Sequence, residues 1–250
     1  MFDIHNHLLP GIDDGAANIN ESLELLELAQ QQGISHLVNT PHIHPGRFDN
    51  DLNSITKASQ LLSAALEQSQ LTIQLAVAAE VRICPEILTW VKTQTLPFIG
   101  QWQDKPALLL ELPTNQLPVG SDKLVGWLVQ QGIQPILAHP ERHAFFYNQP
   151  SRLQPFIRLG CLFQITAGSV LGDFGSAPQD FAMQLLREQQ VDFIASDAHN
   201  QRFRPPKLAD AFNFLAQDAS FDLTRVTLKH NQRELTQSLF KLTPLPSTRL

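Results

Sequence analysis

Seven short β-prone runs, apolar almost throughout, recur along this chain, and most are followed by a stretch with helical patterning. The runs fall at 2–4, 36–39, 72–78, 107–110, 134–138, 162–165 and 191–195. A strand that is apolar on both faces needs cover on both faces, and helices between the strands supply it. That combination points to a parallel sheet in an α/β protein. Helical patterns lie at 21–32, 52–68, 123–131, 151–159, 177–189 and 208–217. The first has Asn18 and Glu21 spaced like a capping box and Gly33 just past its end, and Gly132 and Gly160 sit where later helices should stop. At 250 residues the choice lies between a barrel and an open doubly wound sheet. No Gly-x-Gly-x-x-Gly follows a strand and no Gly-x-x-x-x-Gly-Lys-Ser/Thr occurs, so dinucleotide and P-loop sites lose their main support. Without an internal repeat or a linker, one domain over 1–241 is expected, with 242–250 as an extended or frayed tail carrying Pro244 and Pro246.

Composition narrows the function. Lys and Arg number 18 against 24 Asp and Glu, a formal charge of -6, which argues against a nucleic-acid coat or a polybasic membrane binder. There is no apolar run long enough to span a bilayer and no cationic start of a secretory signal, so no stable membrane insertion is expected. Cys84 and Cys161 are too few for a disulfide framework and suit a reducing cytoplasm. A cysteine phosphatase needs Cys-x5-Arg, yet the residues six beyond these cysteines are Trp90 and Ala167. Both cysteines are expected to pack rather than react.

Nine histidines in an acidic chain are either polar surface or metal ligands, and their positions decide. His5 and His7 leave the first strand at a spacing of two, on one side of it, with Asp13 and Asp14 in the loop beyond. His42 follows the second strand, Glu80 and Glu111 end the third and fourth, His139 ends the fifth, and Asp197 and His199 end the seventh. Each lies at the carboxyl end of a strand, the edge where parallel α/β proteins assemble their sites. Five imidazoles and four carboxylates on one rim would repel if left unpaired, and divalent cations resolve that conflict. Imidazole and carboxylate without thiolate favour Mn²⁺, Zn²⁺ or Fe²⁺, and the count suits two or three ions with Glu80 and Glu111 as bridges. His36, His44, His143 and His230 read as ordinary histidines, with His44 and His143 near enough to line the site.

The cations nearby suggest the reaction class. Arg142 lies three residues after His139, Arg204 follows the Asp197–His199 pair, and Arg47 follows His42. Arginine beside a multinuclear site suits a substrate phosphate, which it grips through two N–H groups. Arg142 and Arg204 are the expected phosphate ligands, Arg47 a weaker candidate, and Arg202 a surface residue.

The ordered set Asp3-Ile4-His5-Asn6-His7, Thr40-Pro41-His42, Ala79-Glu80, Glu111, Ala138-His139 and Ser196-Asp197-Ala198-His199 resembles the PHP (polymerase and histidinol phosphatase) superfamily of metallohydrolases. Further stretches are similar to its bacterial manganese-dependent tyrosine-protein phosphatases of capsule and exopolysaccharide systems: 9–15, His139-Pro140-Glu141-Arg142, 164–169, and 194–199 with Arg204-Pro205-Pro206. The likeness runs from Met1 to about Asn231. It implies a distorted seven-stranded TIM-like (β/α) barrel and a three-ion cluster, with Mn²⁺ first and Fe²⁺, Zn²⁺ or Mg²⁺ as alternatives. His5, His7, Glu80 and Asp197 would hold one ion, Glu80, Glu111 and His139 a second, and Asp14, His42 and His199 the rest. The implied substrate is phosphotyrosine on the tail of a membrane-associated bacterial tyrosine kinase. His42 is also a candidate proton donor. Thr166 stands where the family pattern has Asn, a change that alters a hydrogen bond and removes no ligand. A histidinol phosphatase or nuclease of the same superfamily is the nearest rival, and a non-catalytic metal-stabilised module is the rival from another class.

Overall fold

The computed structural model describes residues 1–243, so the tail expected over 242–250 lies outside the described residues from 244 onward. The chain opens with β1 (Phe2–Asp3), α1 (Ile19–Gln31), β2 (His36–Asn39), β3 (His42–Ile43), α2 (Leu52–Glu67), β4 (Gln74–Val77) and β5 (Glu80–Arg82). It continues through α3 (Ile87–Thr93), β6 (Gln101–Trp102), β7 (Lys105–Glu111), α4 (Ser121–Gln130), β8 (Gln134–Ala138), α5 (Ala144–Tyr147) and α6 (Gln154–Arg158). The last part is β9 (Leu162–Thr166), α7 (Ala167–Leu171), α8 (Ser176–Arg187), β10 (Phe193–Ala195), α9 (Leu208–Leu215) and α10 (Asp222–Thr236). None of the described helices is long and apolar enough to cross a membrane.

The parallel α/β pattern is present, but the strands do not form one closed seven-stranded barrel. They form two sheets, one in the order β1-β2-β4 and one in the order β10-β9-β8-β7-β5-β3, with β6 antiparallel on β7. The division has a local cause. Pro41 has no N–H to give, so the run that starts as β2 breaks at Thr40-Pro41 and resumes as β3. Its partner breaks at Ala78-Ala79, and Glu80 N reaches both Thr40 O (3.3 Å) and Pro41 O (3.1 Å) across the step. Glu80 therefore begins a short second strand rather than ending the third. At the other seam β1 and β10 share only the bridge Asn6–Ala198, made by Asp197 N to His5 O and His7 N to Ala198 O, both 2.8 Å.

Alternation along the strands sorts the core. Leu37, Leu108, Leu110, Leu137, Ile165 and Ile194 join the large cluster that also holds the helix residues. Their strand neighbours Val38, Ala107, Leu109, Ile136, Phe193 and Ala195 pack with Ile4, Ile99 and Leu235 in a second, smaller core. Helix α1 starts as expected, with Asn18 accepting from Asn20 N and Glu21 N, but Glu21 reaches back to Ala17 N rather than Asn18 N. The helix expected over 151–159 is instead a 3₁₀ turn (Pro150–Leu153) followed by α6. Pro155 lies at the start of α6, where its missing N–H costs least.

Candidate metal centre

The loop after β1 sets the first pair of imidazoles. His5 Nδ1 lies 2.7 Å from Gln164 Oε1, and Gln164 Nε2 donates to Ile165 O at 2.7 Å, so the amide oxygen faces the imidazole and His5 Nδ1 donates to it. His7 Nδ1 lies 2.7 Å from Asp13 Oδ2, an acceptor, and therefore donates as well. Each ring then presents an Nε2 lone pair when neutral, and the two Nε2 atoms face each other at 3.3 Å with no proton to share. Gly15 lets this loop close, because a Cβ there would stand 1.9 Å from His7 O.

Two carboxylate oxygens complete the same small volume. Glu80 Oε2 lies 3.3 Å from His5 Nε2 and 3.4 Å from His7 Nε2, and Asp197 Oδ1 lies 3.4 Å from both. Atoms bound to one ion at about 2.1 Å stand roughly 3.0–3.4 Å apart in tetrahedral or octahedral geometry. Neither oxygen accepts a hydrogen bond. The donor set and its spacing fit a divalent cation.

Nine side chains fall into four overlapping groups of this kind: His7, Asp14, His42 and His199; His5, His7 and Glu80; His5, His139 and Asp197; and His42, Glu80 and Glu111. All nine are residues singled out in the sequence. Glu80 joins the groups with both oxygens, Oε1 to His139 Nε2 at 2.8 Å and Oε2 to His42 Nδ1 at 3.0 Å. His42 Nε2 and His199 Nε2 both face Asp14 Oδ1, at 3.3 and 3.5 Å. The groups cut across the expected partition: His7 also joins Asp14, His42 and His199, Glu111 sits with His42 and Glu80, and His139 sits with His5 and Asp197 while also touching Glu80.

Burial opposes charge on the Glu80 and Asp197 carboxyls, but the groups around them outweigh it. His5 and His42 hold Glu80 well below the carboxylate range, and Arg204 and His5 hold Asp197 there. The same carboxylates raise His5, and Glu80 and Asp14 lift His42 to about 9 against its burial. Burial and Arg142 lower His139 to about 4; burial and His7 lower His199 to about 4. Burial, with Glu80 adding to it, pushes Glu111 up to about 7. Two of the seven described non-glycine residues with left-handed backbone belong to the centre, His139 at φ 34° and Asp197 at φ 50°. Such conformations cost non-glycine residues about 1 kcal/mol or more and concentrate at functional sites.

Arg142 Nη1 lies 2.5 Å from Asp197 Oδ2, and Arg204 Nη2 bonds the same oxygen. Arg47 is 59% exposed and lies 3.7 Å from Asp14, with its guanidinium over Phe48, whose ring stacks on His42. His143 is buried 5.7 Å from the His139 ring, and His44 is half-buried on the rim. His36 packs on Phe2 at the other end of the strands, and His230 pairs with Glu234 on α10. Burial pushes the Cys84 thiol up to about 12 and raises Cys161 as well, the reverse of a nucleophilic thiolate.

The sequence reading missed Arg82, whose Nη2 lies 2.9 Å from Glu111 Oε2, and the orienting roles of Asp13 and Gln164. A ligand histidine commonly gives its other N–H to a carboxylate or amide, so Asp13, beside Asp14 in sequence, was the available signal. At Thr166, the backbone N–H donates to Glu141 Oε1 at 2.9 Å and the hydroxyl is buried without a partner.

Comparison with known proteins places the chain among relatives. The family model for capsular polysaccharide synthesis, CpsB/CapC, matches residues 1–237. CapC of Staphylococcus aureus, named provisionally a tyrosine-protein phosphatase, is 35% identical over 236 residues, covering 94% of this chain and 91% of that one. The tyrosine-protein phosphatase YwqE of Bacillus subtilis is 31% identical over 250 residues, 100% of this chain and 97% of that one. A crystal structure from a study of YwqE and of CpsB from Streptococcus pneumoniae, described as unique metal-dependent tyrosine phosphatases, superposes with a TM-score of 0.87 at 30% identity and covers all of both chains. The chain belongs to the CpsB/CapC family of capsular polysaccharide synthesis.

Proposed function

We propose that this chain is a metal-dependent protein-tyrosine phosphatase that hydrolyses phosphotyrosine monoesters. The observation that carries the reading is the convergence of nine ligand-type side chains on one rim, with two arginines meeting at the outer oxygen of Asp197. Relatives named as tyrosine phosphatases support the substrate class. His5, His7, Glu80 and Asp197 would hold one ion, and Asp14, His42 and His199 another. Glu111 and His139 extend the set from the two sides of Glu80, with Mn²⁺ in first place and Fe²⁺, Zn²⁺ or Mg²⁺ as alternatives. Divalent ions held there supply activated water and Lewis acidity.

The chain's own part is positioning and charge. Arg142 and Arg204 donate to the phosphate oxygens and offset the charge that builds on them. Asp197 aims both guanidinium groups, and Asp13 and Gln164 fix the tautomers of His7 and His5. Both ring nitrogens of His42 face carboxylates, so ligation suits it better than proton donation. A phenol of pKa about 10 leaves with little protonation, which lessens the need for an acid. Arg47 lies at the outer edge of the phosphate-binding set.

Around this site the proposal includes a single domain over 1–241, read as a distorted and incompletely closed (β/α)₇ arrangement. It also includes a cytoplasmic location, supported by two free cysteines, and the phosphorylated tail of a membrane-associated tyrosine kinase as substrate. The family's link to capsular polysaccharide supports that substrate. The test is turnover of a phosphotyrosine peptide beside histidinol phosphate and single-stranded DNA, with and without Mn²⁺. Mn²⁺-stimulated hydrolysis of the peptide, abolished by EDTA, is expected. Full activity in EDTA, dependence on a thiol, or preference for either rival substrate would overturn the reading.

A further inference from the structure

A cleft of about 430 Å³ opens beside Arg142. Tyr147, Phe174, Ala177 and Pro178 line it together with Arg142. Arg142 thus belongs to two places at once. Its Nη1 lies 2.5 Å from Asp197 Oδ2 in the metal centre, and its Cζ lies 4.6 Å from the centroid of the Phe174 ring. The ring is held from behind by close packing on α7, because a Cβ added at Gly168 would stand 3.0 Å from Phe174 Cε2. Glycine at 168 therefore sets where Phe174, and through it Arg142, can sit. Helix α8 begins at the edge of the cleft with Gly175 as its N-cap and no side-chain cap, so the first-turn N–H groups of Ser176 and Ala177 are open to a backbone carbonyl.

Resting on the phosphotyrosine reading, we infer that the cleft between Tyr147 and Phe174 is the aryl subsite, which receives the tyrosyl ring while Arg142 holds the phosphate. A guanidinium that is part of both the cleft and the metal centre joins the two halves of such a substrate. Aromatic walls attract a third ring in edge or offset geometry, a gain that an alkyl phosphate does not have. The subsite therefore selects phosphotyrosine over phosphoserine by what surrounds the leaving group, and leaves the phosphate contacts common to both.

The test fills the cleft and then strips one wall. Ala177 is exposed at the start of α8, so Ala177→Trp adds bulk there without disturbing the core. Two readouts follow the ring: kcat/KM for a phosphotyrosine peptide, and the Kd by calorimetry of the same peptide carrying a non-hydrolysable difluorophosphonate. Acetyl phosphate, small and ringless, reports on the phosphate and metal machinery alone, with metal content and melting temperature measured alongside. Ala177→Trp is expected to worsen both peptide values by about tenfold or more and to leave acetyl phosphate within about twofold. Tyr147→Leu, which keeps apolar bulk but removes the ring, is expected to give a smaller loss of the same selectivity.

Equal losses on both substrates would overturn the inference, since the substitutions would then be acting through Arg142 or the ligands. Unchanged peptide values in both variants would overturn it too, and would leave the phosphatase reading standing. Wild-type protein that cleaves acetyl phosphate but no phosphotyrosine peptide would instead overturn the phosphatase reading and the subsite with it.

Discussion

At the amino ends of the strands most buried polar groups are satisfied by the chain itself, with His36 Nε2 an exception, while at the carboxyl ends a whole cluster of them is not. On the amino side, Phe2 stacks on His36 at 4.3 Å and Trp102 meets Phe193 edge-on at 5.4 Å. There Asn231 Nδ2 donates to Asp192 O, Gln232 Nε2 donates to Ile194 O, and Asp192 Oδ2 accepts from Phe163 N. On the carboxyl side, His42 Nδ1, Glu80 Oε2, Asp197 Oδ1 and His199 Nε2 are buried without hydrogen-bond partners, and Glu111 Oε2 has only its ion pair with Arg82. Unsatisfied buried polar groups cost about 1–3 kcal/mol each, so the second end lowers stability unless something binds there. One end of the fold supplies stability and the other spends part of it on a site.

The comparison breaks most sharply at Asp197. Asp197→Asn keeps the size of the side chain but removes the charge that faces His5, His7, Arg142 and Arg204. Turnover of a phosphotyrosine peptide should fall by about a hundredfold or more, with metal content falling in parallel and the circular dichroism spectrum retained. A rate near wild type would place the reaction elsewhere. Chelation alone should also lower the melting temperature, because an ion present at 100 times its Kd adds about 2.7 kcal/mol to the native state.

Leu235→Ala probes the opposite end. Leu235 is fully buried on α10 in the smaller core, and its truncation should cost about 2–5 kcal/mol in denaturant unfolding. Per folded molecule, kcat/KM should stay within about twofold, since no ligand touches it. A large fall in kcat/KM at temperatures where the variant is fully folded would mean that the two ends are coupled.

This division also explains what could be read from the chain. Long apolar runs such as 134–138 gave their strands to the residue, because burial on both faces leaves no other pattern. All nine ligand candidates were visible because their residue types recur at or near the carboxyl end of six of the seven apolar runs. The short strands β3 and β5 were not, since a kink at Thr40-Pro41 and Ala78-Ala79 is set by pairing across the sheets rather than by local propensity. Helix α10 was missed because its buried side chains, Leu228, Gln232, Leu235 and Thr236, are half polar, and the polar two are satisfied by backbone carbonyls of β10 and of α10 itself. The expected barrel fell short where regular pairing stops at Asn6–Ala198, and no residue type announces that stop. Arg82 was invisible for a related reason: its partner Glu111 is on a different strand.

Asp192 offers a quieter test of the amino end. Its pKa is raised to about 6 from 3.8, first by burial, with the Phe163 N–H opposing. A raised carboxyl binds its proton more tightly folded than unfolded, so this stabilisation is full below pH 3.8 and is lost as pH rises through 6. Asn at this position keeps an oxygen for Phe163 N and carries no charge. Asp192→Asn should therefore be more stable than wild type at pH 7.5 by about 1–2 kcal/mol, with the difference vanishing near pH 4 in urea unfolding. Kinetics should not change. A gain that is constant across pH would show that packing, not ionisation, separates the two side chains.

The smallest effect is expected at Arg47, on the outer margin of the carboxyl end. It is 59% exposed, and its 3.7 Å approach to Asp14 is a surface pair of the kind that contributes about 0–1 kcal/mol. Arg142 and Arg204 are less than half as exposed and share the buried Asp197, so their charges act through a drier medium than Arg47's. Arg47→Ala should raise KM for a phosphotyrosine peptide by no more than about threefold with kcat unchanged, and added salt should erase most of that difference. A rise of tenfold or more that survives high salt would show Arg47 closing onto bound phosphate. The line between the buried centre and its solvated margin would then have to be drawn outside Arg47 rather than inside it.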